Sequence, residues 1–149
     1  MTKPTLYLSD FFERNRPDYY DALTLVRTKG DIEHWLKFFL VGVAQTAANS
    51  KQTFEKIIEL RRECEQKIIL MGKRARSAQQ LLPLLYSKPI TNPNTIAEIL
   101  GITHQSANTL IRGFEEVQIL EEITGYKRNR LFMFKKYVDI FNDDITETK

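Results

Sequence analysis

One short stretch of the chain, residues 103–112, is rich in side chains that form hydrogen bonds. It offers hydroxyl, imidazole, amide and guanidinium groups: Thr103, His104, Gln105, Ser106, Asn108, Thr109 and Arg112. Gln and Asn can bind adenine edges in a DNA groove, and Arg can bind guanine or a phosphate. The same residue types also form the solvated face of many amphipathic helices, so the stretch alone leaves both interpretations open.

Positive charge is concentrated in two other stretches. Residues 124–136 contain five Lys or Arg residues and no acidic residue, and Lys127, Arg128 and Arg130 are among them. Such a short basic block favours an anionic partner such as nucleic acid. Residues 51–76 carry eight basic and four acidic residues. A solvated helix face explains this second block as well as a partner does.

Residues suited to catalysis or metal binding are sparse. Neither His34 nor His104 has a cysteine or a second histidine at ligand spacing, so no metal site is predicted. Cys64 is the only cysteine, which excludes a disulfide within the chain and favours a reducing, cytoplasmic location. The six glycines are too widely spaced for a phosphate-binding loop. We therefore expect no enzymatic activity and no cofactor for this chain.

Two short helices joined by a tight turn are predicted to position the polar stretch. Thr95 and Glu98 have the spacing of a capping box, and Gly101 can end the first helix in a left-handed conformation. Thr103 is a suitable N-cap for the second helix. The apolar positions of that helix recur at helical spacing: Ala107, Leu110, Ile111 and Phe114. The pattern predicts a helix-turn-helix with its polar residues facing outward.

A β-hairpin is predicted directly after this helix pair. Leu120 and Ile123 precede a turn around Gly125, and the β-prone run 131–134 follows it. The basic residues 127–130 would lie at its tip. A helix-turn-helix followed by a basic hairpin is the order of a winged helix, in which the hairpin contacts DNA beside the recognition helix. A winged helix that makes only protein contacts is the alternative.

The first half of the chain is predicted to be helical. Ser9 or Asp10 would cap a first helix, and Pro17 and Gly30 would begin and end a second. Asp31 would cap a third helix. That helix is apolar over much of its circumference: Trp35, Phe38, Phe39, Leu40 and Val43. We expect a homodimer or a larger assembly to cover this surface.

The remaining elements complete a mainly α fold. Residues 50 to about 76 predict one long helix, and residues 78–86 another, with Pro83 near its first turn or at a kink. Pro89 and Pro93 would bracket a loop. The predicted organisation has four parts: a helical segment (1–49), a long connecting helix (50–76), a winged helix-turn-helix (77–141) and a tail (142–149). The apolar runs are too short for a membrane span, so no membrane partner is expected.

Several phrases resemble a known family. The segments 6–16 (LYLSDFFERNR), 18–23 (DYYDAL) and 30–43 (GDIEHWLKFFLVGV) are similar to the end of a Fic domain. The helix-turn-helix with segment 124–130 (TGYKRNR) resembles the winged helix that follows this domain in bacterial Fic proteins. Together these resemblances span roughly residues 6 to 141.

The resemblance implies a parent enzyme that transfers AMP from ATP to a hydroxyl of a target protein. The catalytic loop of this family has the form His-Pro-Phe-x-x-Gly-Asn-Gly-Arg, and the chain contains no such loop. No catalytic residue is therefore carried over. We expect the chain to be the non-catalytic C-terminal module of a longer Fic protein, with duplex DNA and the parent's catalytic core as partners. The alternative is a winged helix that dimerises or regulates that core without binding DNA.

Overall fold

The computed structural model describes residues 8–126 and 129–146, and side chains as far as Asn142. The described residues are mainly helical, as predicted. The helices are α1 (Leu8–Arg14), α2 (Arg16–Lys29), α3 (Ile32–Ile69), α4 (Ala75–Ser87), α5 (Pro93–Leu100), α6 (His104–Glu116) and α7 (Lys135–Thr146). The strands are β1 (Ile90–Thr91), β2 (Glu121–Glu122) and β3 (Phe132–Met133). The chain divides into two compact units, whose described parts are residues 8–55 and 56–146.

Aromatic packing joins the three helices of the first unit. The ring of Phe12 lies 5.3 Å from Tyr19, 6.2 Å from Trp35 and 5.9 Å from Phe38 between centroids. Trp35 and Phe38 are consequently half-buried, whereas Leu40 remains 61% exposed. Within the first unit, α3 is therefore covered on its aromatic side and exposed at Leu40.

The helix ends of the first unit follow local capping chemistry. Pro17 lies in the first turn of α2, and Gly30 ends this helix with a φ of 67°. Asp31 accepts a hydrogen bond from the backbone N–H of His34 at 3.0 Å, as an N-cap of α3 should. The prediction of Ser9 or Asp10 as an N-cap is wrong, because both residues lie inside α1.

Helix α3 continues without a break past residue 50 and ends earlier than predicted. It runs for 38 residues and stops at Ile69 instead of near residue 76. Gly72 follows with a φ of 60°, a left-handed conformation that interrupts regular helix. A 3-10 turn covers Gly72–Arg74, and α4 then begins at Ala75, before the predicted start at residue 78.

The core of the second unit lies between helices and a small antiparallel sheet. Its largest fully buried side chains come from α3, α4, α5, α6 and the region around β3: Cys64, Ile68, Leu85, Ile96, Ile111, Phe114, Phe132 and Phe134. The strand order is β1-β3-β2, with Thr91 and Glu122 both opposite Phe132. The predicted hairpin is confirmed as β2–β3. Strand β1 lies where a loop was predicted between Pro89 and Pro93. The sequence did not indicate it, because a strand of two residues is too short to show alternation.

Three further details differ from the sequence predictions. Asn92, not Thr95, caps α5: its side chain accepts a hydrogen bond from the Thr95 N–H at 2.9 Å. Pro83 lies in the interior of α4 on its exposed side, so of its two predicted placements the one near the first turn is wrong. Helix α7 extends to Thr146, through part of the segment predicted as a tail.

None of the helices within residues 8–126 and 129–146 combines the length and apolar character needed to cross a bilayer.

Candidate nucleic-acid interface

A tight turn between α5 and α6 fixes the start of the polar stretch. Gly101 ends α5 in the left-handed conformation, with a φ of 62°. Two residues later, the hydroxyl of Thr103 accepts a hydrogen bond from the Ser106 N–H at 3.1 Å. Thr103 is therefore the N-cap of α6, as predicted. The left-handed conformation of Gly101 and the Thr103 cap together fix where α6 begins.

Helix α6 has one buried and one exposed face. The buried face packs against the core through Ala107, Leu110, Ile111 and Phe114. The opposite face consists of exposed residues at helical spacing, which we call the outer stripe: Gln105, Thr109, Arg112 and Glu116. Because the helix is anchored along its whole buried face, the outer stripe is held on a rigid element.

Local hydrogen bonds engage part of the predicted polar set. The Asn108 amide donates to the His104 carbonyl at 2.9 Å and lies 3.0 Å from Nδ1 of the same histidine. The Thr109 hydroxyl donates to the Gln105 carbonyl at 3.0 Å. By contrast, the side chains of Gln105 and Arg112 form no hydrogen bond or ion pair with another described residue. These two groups are available to a ligand without breaking an internal contact.

Arg74 holds the 3-10 turn against one side of α6. Its Nη2 lies 3.2 Å from Glu116 Oε2, and its Nη1 donates to the Thr109 carbonyl at 3.3 Å. Gly113 makes room for this approach, because a Cβ there would lie 2.9 Å from Arg74 Nη1 and 2.6 Å from Met71 Cε. The turn therefore packs against the C-terminal half of the helix.

Arg130 holds the β2–β3 hairpin on the other side of α6. Its Nη2 lies 2.6 Å from Glu122 Oε2 and 3.8 Å from Glu115 Oε1, and its guanidinium stacks 4.9 Å from the centroid of Phe132. Gly113 and Glu115, which the two arginines approach, project about 160° apart around the helix. The outer stripe therefore runs between two elements that each carry an arginine.

The neighbouring Arg130 favours the ionised form of the Glu122 carboxylate. The hydrogen bond from Arg130 lowers the pKa of Glu122, and the attraction between the opposite charges adds to this effect. Arg130, predicted to bind DNA, is therefore engaged with two carboxylates in the free protein. Lys127 and Arg128, predicted with it, lie outside the described residues.

The basic block at residues 73–76 has a place that the sequence did not indicate. It was expected on the exposed face of a long helix, yet Lys73 and Arg74 lie in the 3-10 turn that packs against α6, and Arg76 lies in the first turn of α4. The contacts of Arg74 reach residues 35 and 42 positions further along the chain. The local indication of this turn in the sequence is Gly72, a residue that can end a helix and that stands directly before the basic run.

The described side chains of this surface offer hydrogen bonds and charges of both signs, and Arg112 is a cation that pairs with no described carboxylate. Within the residues whose side chains are described, no group of three or more His, Cys, Asp or Glu could hold a metal ion. We compared the chain with models of known protein families, and none of them matches it.

Proposed function

We propose that this chain is a DNA-binding module with a winged helix-turn-helix. In this proposal α5 and α6 are the helix pair, α6 is the recognition helix, and the β2–β3 hairpin is the wing. The observation that carries the proposal is the outer stripe of α6, where Gln105 and Arg112 are exposed and uncommitted between two arginine-bearing elements. An α-helix with such a face fits the major groove of B-DNA.

The proposed contacts divide between bases and phosphates. Gln105 and Asn108 would face base edges, with Arg112 on guanine or a phosphate. Thr103, His104, Ser106 and Thr109 lie at or near the first turns of α6, where backbone N–H groups and short polar side chains favour phosphate. The hairpin residues 127–130 would contact phosphates beside the groove.

The experiment is duplex binding by fluorescence anisotropy over a series of salt concentrations. We expect the affinity for mixed-sequence duplex to fall steeply with salt, because phosphate contacts release counterions. Arg112→Gln should weaken binding. Gln105→Ala should reduce sequence preference with little change in the salt dependence, because an amide contact to a base releases no counterion. If the unmutated chain binds no duplex even at low salt, the proposal is overturned.

We also propose that the chain is the non-catalytic C-terminal part of a Fic-family protein. The order and spacing of the phrases between residues 6 and 43, followed by the helix pair and hairpin, support this origin. Protein adenylylation would then belong to the catalytic core of the parent protein. The chain alone is expected to transfer no AMP, and protein labelled after incubation with labelled ATP and magnesium would contradict this placement.

A second candidate function is dimerisation or regulation of such a core without DNA binding. It is favoured by the exposed apolar side chains of α3, since Ile32 is 60%, Leu36 48% and Leu40 61% exposed. Among the described residues of the first unit, Ala22 is the only buried apolar side chain. A stable dimer that binds no duplex at any salt concentration would favour this second candidate over the first.

A further inference from the structure

The 3-10 turn and the first turn of α4 carry a dense positive charge beside α6. Lys73, Arg74 and Arg76 lie within four consecutive residues, and Lys73 and Arg76 are exposed. Arg74 is paired with Glu116, whereas neither Lys73 nor Arg76 forms an ion pair with another described residue. Two cationic side chains within residues 72–76 are therefore free to meet an anion.

The position of the turn is set by packing rather than by charge alone. Met71 is 6% exposed and approaches the backbone of Gly113, where a side chain would collide with it. The contacts of Arg74 to Thr109 and Glu116 fix the next residues of the turn along the outer stripe. Lys73 and Arg76 are thereby attached to a segment whose backbone is held against α6.

The width of the major groove determines how close the elements beside α6 would come to the phosphate backbones of DNA. An α-helix with its side chains is about 10–12 Å across, and the major groove is about 12 Å wide. Elements that flank a helix seated in the groove must therefore come close to the two phosphate backbones at its edges. In this molecule the hairpin flanks α6 on one side and the 3-10 turn flanks it on the other.

We propose that residues 72–76 form a second phosphate-binding element, which contacts the backbone of the duplex on the side of α6 opposite the hairpin. This inference rests on the proposed function of α6. Lys73 and Arg76 supply the phosphate contacts. Arg74 is a positioning residue, because its guanidinium is already bonded to α6.

The double variant K73Q/R76Q tests this proposal. Glutamine removes each charge and retains a good helix-forming side chain, so the exposed positions should tolerate both changes without unfolding. We expect the slope of log affinity against log salt to decrease by about 1.8, which is about 0.9 for each lost phosphate contact. The matched control is R27Q/K29Q, which removes the same charge from exposed positions of α2. We expect the control to keep the parent slope.

The outcomes separate this inference from the proposed function. If K73Q/R76Q keeps the parent slope while Arg112→Gln weakens binding, the turn does not touch DNA and α6 does. If the control lowers the slope equally, the effect is one of overall charge and the inference is overturned. If the unmutated chain binds no duplex, both proposals are overturned together. Circular dichroism and thermal unfolding of each variant would show that its fold is retained.

Discussion

At the scale of single residues, burial shapes the chemistry of Cys64 and Tyr86. Cys64 is 2% exposed, and burial raises the pKa of its thiol from 9.0 to about 11. The pKa of the Tyr86 phenol is also raised, first by burial and then by the neighbouring Cys64. A thiol held neutral in this way is a packing group and a poor nucleophile.

We predict that the free energy of unfolding falls as the pH rises from about 9 to about 11. Cys64 ionises at its ordinary pKa in the unfolded chain but stays neutral in the folded protein, so its contribution is complete below pH 9 and lost through this window. The loss should be roughly 1–3 kcal/mol. Urea unfolding of the parent and of Cys64→Ala at several pH values measures it. Equal pH slopes for the two proteins would contradict the assignment.

At the scale of elements, α1 packs on α3 at a position without a side chain. A Cβ on Gly42 would lie 2.5 Å from Phe11 Cδ1 and 2.6 Å from Phe11 Cε1. The Phe11 ring also packs against Phe38, with 5.4 Å between centroids. The ring therefore has little room to move, and the fit depends on glycine although glycine weakens helices.

We predict opposite effects of Gly42→Ala in two backgrounds. In the parent, the added methyl should displace the Phe11 ring at a typical cost of about 1–3 kcal/mol, which exceeds the gain in helix propensity of about 1 kcal/mol. In Phe11→Ala, the same methyl meets no ring and should stabilise the protein. Chemical unfolding of the four proteins completes the double-mutant cycle. Stabilisation by Gly42→Ala in both backgrounds would show that the ring moves aside freely.

The elements also show where sequence reasoning succeeded and why it failed elsewhere. The boundaries at Gly30, Asp31 and Thr103 were predictable, because each depends on one residue and its nearest turn. The cap at Asn92 was missed since Thr95 has an equally good local pattern. The polar face of α6 was predictable from its spacing. The flanking turn at Arg74 was not, because its contacts join residues distant in sequence.

At the scale of the whole molecule, the first unit exposes much of its apolar surface. Leu36 and Leu40 lie one turn apart on α3, and both are substantially exposed. Charged residues near them are paired within the helix, as in the contact of Lys37 with Glu33 at 2.7 Å. An apolar face with an internally neutralised border would not repel an identical copy, so we favour self-association as its cover.

We predict that the unmutated chain forms a dimer in solution and that L36Q/L40Q shifts it to monomer. The substitutions place amides at the centre of the proposed interface, where they would lack partners. Light scattering at micromolar concentrations measures the mass of each species. Leu70→Gln is the matched control, because Leu70 is 82% exposed and belongs to the second unit. A monomeric unmutated chain at these concentrations would contradict the prediction.

The stacked and paired Arg130 has a consequence for the thermodynamics of association. A free arginine side chain carries about 2 kcal/mol of rotamer entropy, which a ligand must overcome when it immobilises the group. Contacts with Glu122 and Phe132 restrict this guanidinium during folding. Any anion that Arg130 meets on this surface therefore finds a preorganised donor, and the ordering cost of that encounter is correspondingly small.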